Sequence, residues 1–512
     1  MDIVNQVTHL QLLNQFWLIL IFLIPMVLVS RTVVAGTRFS PILIIVIFGL
    51  TMGYLLVLSG VASPGLPEFA FVGLMANTTI IALTATFFVG GQELRKILGN
   101  KELTEDEFVI PSSEETILGT SRTQLIFIIR SFFILFGIEG LTRIILNTGS
   151  STIPANYYPL IAYIGIIGAI IFIDNKATIK DKRVYLQKGV VEMLLLVAVL
   201  FLSYHISVWI SSIISLPQIF FAMMIAAGLG ALFFEWTFGP TVRALLFAGI
   251  PIVLAGNFMV GGSRIGEAFS IEGMNSVIFY GFFGQLFWMF GGIALLMFFA
   301  KTANTRNLAP GMAGSLSHSG LTGACTAGDF GKIAANRAPI MINIPFFGHI
   351  FVFSILAISA DRGSLWILPS LLLGALGVAL TIWSLRNLRK ANGNDKKEVN
   401  ALIQFSFGWQ IYAVFGGLVL LSLSDMPFNY SAMAQSSAIS HFGLFAAIQG
   451  GMFGTNAALL IPFIFSMPFL VHPVVFYMFG KAMENGGEMP VKPVYSLAGI
   501  GVIGVAASLF FL

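Results

Sequence analysis

The sequence predicts an all-α polytopic membrane protein of about 14 spans, plus two re-entrant hairpins in an inverted-topology repeat. Three observations predict it. Of 512 residues, 57% are hydrophobic and only 10% charged, whereas a soluble domain carries about 25% charged residues. A water-facing surface could not be covered with so few. Apolar runs recur at close to the ~20 residues that a helix needs to cross the hydrocarbon core. Two Gly-rich stretches, 311–337 and 433–459, also superpose on one another. The single Cys325 excludes a disulfide framework or a cysteine-built metal site. A net charge of +4, scattered along the chain, does not suit nucleic acid as a partner and suits orientation in a lipid membrane.

Taken in order, the first apolar run is followed by Arg31, and residues 1–14 hold no Lys or Arg. A secretory leader has its positive charge in front, so the run near 15–30 is expected to be a permanent span entering from outside. Further spans are expected near 41–62, 70–90, 124–146, 157–173, 189–211, 217–235 and 242–260, which makes 1–274 a scaffold-like region of about eight. Spans near 275–300, 339–359 and 364–386 frame the first Gly-rich stretch in a repeat unit, 275–398. Those near 401–423, 460–480 and 494–512 frame the second, in 399–512. Gly clusters and polar residues make poor continuous helices, so the two stretches are expected to enter and leave on one side. That layout puts 21 Lys and Arg residues on the cytoplasmic side and three outside. Letting both stretches cross reduces the contrast to 17 against seven, so the positive-inside rule favours re-entry. The acidic loop holding Glu102, Glu105, Asp106, Glu107, Glu114 and Glu115 reads as a solvated face.

The repeat carries the functional information. Shifted by 123 positions, Ser317–Phe353 aligns without a gap on Ser440–Phe476, with 16 of 37 positions identical. Identities include Ser317/Ser440, His318/His441, Gly328/Gly451, Gly331/Gly454, Pro345/Pro468 and His349/His472. At an offset of 125, Gln285, Phe290 and Gly292 in the preceding helix match Gln410, Phe415 and Gly417. An odd number of spans separates the copies, so they are expected to be inverted, with hairpin tips meeting near the midplane. Inverted repeats with interrupted helices mark secondary transporters. A half-crossing hairpin exposes backbone groups that hydrocarbon cannot satisfy, so it survives only inside protein or beside a wet cavity. Helix N-termini there suit an anion, and exposed carbonyls suit a cation. Gly328 and Gly451 are expected at the deep turns.

These hairpins, with the segment TTIIALTATFFVGGQELRK from Thr78 to Lys96, resemble the sodium/glutamate symporter family and the related 2-hydroxycarboxylate transporters. The resemblance implies sodium-coupled uptake of a small carboxylate by a hairpin-bearing core moving past a fixed scaffold. It covers about half the chain. The openings here read Ser-His-Ser-Gly and Ser-His-Phe-Gly where the family has a Gly-His-Gly type, and eight spans precede the first repeat unit.

Candidate solute and ion contacts are Ser317, His318, Thr322, Asp329, Lys332, Asn336, Ser440, His441, Gln449, Thr455 and Asn456. His318 and His441 open the hairpins, and imidazole can carry a proton, a ligand contact or only a structural hydrogen bond. The same alternatives apply to His349 and His472 inside apolar spans. Asp329 and Lys332 face Met452 and Thr455 in the alignment, so they could handle charge or simply pair with each other. Glu139 and Arg143 are spaced for mutual neutralisation. No GxxxxGK[ST] loop suggests ATP drive, and no HExxH or GxSxG motif suggests a hydrolase. The expected function is ion-coupled transport of a small, anionic carboxylate or amino-acid solute, with Na+ or H+ as coupling ion, no cofactor and no enzymatic activity. A homodimer in a bacterial inner (plasma) membrane is the expected setting. The alternatives are a haem- or metal-binding redox protein built on the paired histidines and a channel with two re-entrant pore loops.

Overall fold

A computed structural model describes residues 26–27, 29–30, 41–66, 71–98, 117–146, 155–171, 179–213, 218–232, 250–299, 305–326, 329–484 and 487–510. Among them the backbone is almost entirely helical and holds no strand. Seven helices among the described residues are long and apolar enough to cross a membrane, and one further pair of helices would join them if its bend is part of one span. Leu368, Leu372, Trp383 and Ile503 lie exposed on outward faces, an arrangement suited to lipid. The chain is an all-α membrane protein. The predicted span near 15–30 falls almost wholly outside the described residues, as does the acidic loop.

The N-terminal region comprises α1 (Pro41–Leu58), α2 (Phe71–Leu98), α3 (Ile117–Leu146), α4 (Tyr158–Ile171), α5 (Ile179–Ile213), α6 (Gln218–Leu232) and α7 (Ile250–Ser263). Small residues set their pairing. A Cβ at Gly91 would collide with the Ala227 carbonyl, so α2 and α6 pack backbone to backbone. Close approach through small residues is how helices associate where lipid removes the hydrophobic drive. On its other side α2 meets the repeat region, where Asn343 Nδ2 donates to the Phe87 carbonyl at 2.9 Å. Glu139 and Arg143 pair at 3.0 Å within α3, as their spacing predicts.

After the short α8 (Ile265–Ser270), the repeat region begins with α9 (Met274–Phe299), which contains a π-helical turn at Leu286–Phe290. Next come α10 (Thr305–Leu316), α11 (Ser319–Thr326), α12 (Gly331–Phe347), α13 (His349–Asp361), α14 (Ile367–Ala391) and α15 (Asp395–Leu421). The chain ends with α16 (Phe428–Ala438), α17 (Phe442–Gln449), α18 (Thr455–Ser466), α19 (His472–Glu484) and α20 (Val491–Phe510).

Pair contacts fix the directions of these helices. Arg337 donates to Asn307 near the starts of α12 and α10, and Gly314 lies against Met341 further along both. The two therefore run side by side in one direction, and α11 between them must run back. In the second copy, Phe428 meets Phe453 at 5.6 Å and Ser437 Oγ donates to the Ile464 carbonyl at 2.7 Å. Helices α16 and α18 are likewise parallel, and α17 returns. Each Gly-rich stretch thus holds the tip of a hairpin, α10–α11 or α16–α17. Helix α15 accompanies α10, with Glu398 at Asn307 and Ser406 at Gly311. Helix α9 accompanies α16, with Tyr280 at Gln435 and Gly284 at Ala438. Because Trp288 packs on Trp409 and Tyr412 while Gly292 lies against Trp409, α9 and α15 are antiparallel. The two hairpins therefore point at each other.

Candidate functional site

The hairpin tips are Ser317–His318 and Ser440–His441, and they are built alike. Helix α10 ends in a Schellman motif. The His318 amide donates to the Ala313 carbonyl at 2.8 Å and the Ser317 amide to Gly314 at 3.1 Å. The second tip repeats this, with His441 to Ser436 at 2.9 Å and Ser440 to Ser437 at 3.0 Å. The motif needs a left-handed residue, usually glycine, yet serine occupies it in both copies, with φ of 50° at Ser317 and 49° at Ser440. Each histidine then caps the returning helix. His318 Nδ1 accepts from the Leu321 amide at 3.1 Å, and His441 Nδ1 from the Leu444 amide at 2.9 Å.

The tips join through an isolated antiparallel bridge. The Ser319 amide donates to the Ser440 carbonyl at 3.1 Å, and the Phe442 amide to the Ser317 carbonyl at 3.0 Å. Each tip satisfies a helix-end group of the other, which keeps irregular backbone stable away from water. The hydroxyls of Ser319 and Ser440 add a 3.0 Å hydrogen bond.

Hydrogen bonding determines the histidine tautomers. An Nδ1 that accepts an amide proton carries none, so the ring protons of His318 and His441 sit on Nε2. His349 Nδ1 lies 3.2 Å from the Pro345 carbonyl and His472 Nδ1 3.3 Å from that of Pro468, so both donate there. His441 Nε2–H consequently donates to His349 Nε2 at 2.9 Å. Gln285 reaches His318 Nε2 at 2.7 Å, and this tautomer requires the amide to present its oxygen. The four rings are buried. The His318 and His472 rings lie 4.7 Å apart, tilted by 50°, and those of His349 and His441 4.8 Å apart, tilted by 40°. Every pair crosses between the copies, so the histidines brace the junction as neutral rings.

A cavity of about 50 Å³ opens beside the junction. Its walls are Leu83, Thr86 and Phe87 of α2, Val253 and Leu254 of α7, Ser317, Ser319 and Thr322 of the first hairpin, Ile342 and Phe346 of α12, and Phe442 of the second hairpin. A single water needs about 10–15 Å³, so there is room for a few waters or a very small solute. A smaller apolar cavity shares Leu83, Phe87, Phe346 and Phe442 with it and extends towards Phe220 and Met223 of α6.

Of the sequence candidates, Ser317, His318, Thr322, Ser440 and His441 come together here. Gln449, Thr455 and Asn456 do not. They are exposed around the turn after α17, as is Gly451, which corrects the expectation that Gly451 marks a deep tip. Asp329 and Asn336 are half-buried at the matching turn and in α12, again away from the tips. Gly328 and the Lys332 side chain lie outside the described residues, so the proposed Asp329–Lys332 pairing does too. The hairpins are each entered one helix earlier than their glycines suggest, because the deep turns use serine in the left-handed conformation. Sequence reasoning passed over Thr86, Ser319 and Phe442. The Ser319/Phe442 mismatch in the aligned copies was the available signal. Among the described residues, no group of three or more His, Cys, Asp and Glu converges on a metal position. No protein-family model, curated protein or solved structure matches the chain.

Proposed function

We propose that the chain is an ion-coupled secondary active transporter of a small anionic solute, with the junction cavity as its solute site. The observation that carries this reading is the pair of opposed hairpins, whose helix ends meet beside a cavity walled by α2 and α7. Discontinuous helices facing each other at a repeat interface are how transporters place backbone dipoles around a charged solute. In this reading the 275–398 and 399–512 units form an inverted-topology repeat in a membrane domain of about 14 spans. One hairpin enters from the cytoplasm and the other from outside, in a bacterial inner membrane. Movement of the hairpin-bearing core along α2 and α7 would open the cavity to each side in turn, with Na+ or H+ as the coupling ion. The hydrogen-bonded state of all four histidines favours Na+ over a histidine-borne proton.

Flux measurement tests the proposal. The purified chain is reconstituted in proteoliposomes and offered radiolabelled carboxylates and amino acids under an inward sodium or proton gradient. Accumulation above equilibrium that collapses when the gradient is dissipated is the expected result. Equilibration only, at a rate insensitive to either gradient, would overturn it and favour a channel.

A further inference from the structure

The two copies differ in chemistry at the cavity, and the difference gives the solute a direction. Ser319 and Phe442 occupy equivalent places in the repeat, and both line the cavity. One offers a hydroxyl and the other an aromatic ring. The same exchange recurs one turn on, where Thr322 corresponds to Phe445, and an aliphatic side chain gives way to an aromatic where Ile342 corresponds to Phe465. On the second copy's side, Phe445 and Phe465 pack ring to ring at 4.5 Å and Phe465 meets Phe469 at 5.6 Å. Aromatic rings in the second copy thus stand where the first copy has smaller side chains.

The cavity therefore has a polar edge and an apolar remainder. Thr86, Ser317, Ser319 and Thr322 form the edge, beside the positive end of α11. Leu83, Phe87, Val253, Leu254, Ile342, Phe346 and Phe442 form the rest. Among the described residues lining it there is no charged side chain. One carboxylate can be met by the Ser317 and Ser319 hydroxyls, since the Thr322 hydroxyl donates to the His318 carbonyl at 2.7 Å and the Ser319 and Leu321 amides are taken by Ser440 and His318. A second carboxylate would be buried against hydrocarbon side chains with no counter-charge, which is strongly unfavourable. Strong rejection follows when a site leaves a solute's polar group without a partner.

We infer that the site takes a compact monocarboxylate with a short branched apolar portion and rejects dicarboxylates. The carboxylate lies at the Ser317–Ser319 edge and the apolar portion against Phe442 and Phe346. This rests on the transport reading in that it assigns the solute to the same cavity. Ser319 and Phe442 are its specificity-determining residues.

The test measures thermal stabilisation of the full-length chain in detergent by isobutyrate, by its neutral analogue isobutyramide, and by succinate and glutarate. Isobutyrate is expected to raise the melting temperature saturably, and the dicarboxylates to need at least about tenfold higher concentration. Ser319→Phe, which restores the aromatic of the other copy, should abolish the response. Thr86→Val exchanges a hydroxyl for a methyl of similar shape, so it guards against a merely misfolded Ser319→Phe, and it should weaken apparent affinity about fivefold or more. Equal stabilisation by succinate or by isobutyramide would overturn the inference. So would an unchanged response in both variants, or no response to isobutyrate. Gradient-driven flux of a dicarboxylate would leave the transporter reading intact while this inference fails. Absence of any gradient-driven flux, with isobutyrate still bound, would do the reverse.

Discussion

His441 shows how a titratable residue inside a membrane can serve shape rather than charge. Its Nδ1 caps α17 and its Nε2–H reaches His349, so both nitrogens are committed in the neutral form. His441→Ala should lower stability by about 2–4 kcal/mol in chemical or thermal unfolding. That sum combines loss of a cap, at about 1 kcal/mol, with a buried acceptor left unpaired, at about 1–3 kcal/mol. His441→Asn keeps a capping oxygen and should recover the smaller part. Neither variant should change the pH profile of transport between about pH 6 and 8, the range in which a working histidine would titrate. A displaced profile in His441→Asn would assign the ring to proton movement instead. The duplication of the histidines was legible in the sequence, but their role was not. Whether an imidazole caps, couples or coordinates depends on which groups its two nitrogens meet; His441 Nδ1 meets backbone of its own helix, but its Nε2–H meets His349 of the other copy, which the sequence does not show.

At the scale of elements, the hairpin starting at α10 is tied at its entrance by a polar cluster that the second hairpin lacks. Arg337 of α12 meets Asn307 of α10 and Asp395 of α15, while Asn307 Nδ2 also donates to buried Glu398 at 2.8 Å. The position equivalent to Arg337 in the second copy is Leu460. Arg337→Leu should therefore destabilise the chain by about 1–2 kcal/mol, measured by thermal unfolding. The value is below the cost of breaking a fully buried pair, because Asp395 is 45% exposed and water takes over part of the role of its partner. An unchanged melting temperature would show that the cluster ties nothing. The 123-residue shift was enough to mark the two stretches whose tips are built alike. The deep turns were not legible in it, since glycine is the usual left-handed residue and the glycines sit at the other turn. Serine holds the strained positions at both tips, and no local pattern marks Ser317 or Ser440 as different from any other small polar residue.

Over the whole molecule, α2 and α7 of the N-terminal region complete a cavity whose other walls lie in the repeat. Thr86 is separated from Ser319 by more than two hundred residues, so periodicity along the chain carries no trace of their meeting. In the alignment the copies differ in charge at Asp329 and Lys332, and at the cavity they also differ in Ser319 against Phe442. Transport by alternating access of this kind requires the hairpins to enter from opposite faces. Sites for testing it must be accessible, and Ala313 and Gln435 are buried within the hairpins, whereas Arg306 and Asp425 are exposed near the entrances. With buried Cys325 replaced by Ala, single Arg306→Cys and Asp425→Cys variants are labelled in oriented membrane vesicles with a membrane-impermeant maleimide. Labelling of Arg306→Cys from the cytoplasmic face alone and of Asp425→Cys from the opposite face alone is expected. Labelling of both from the same face would contradict entry from opposite faces.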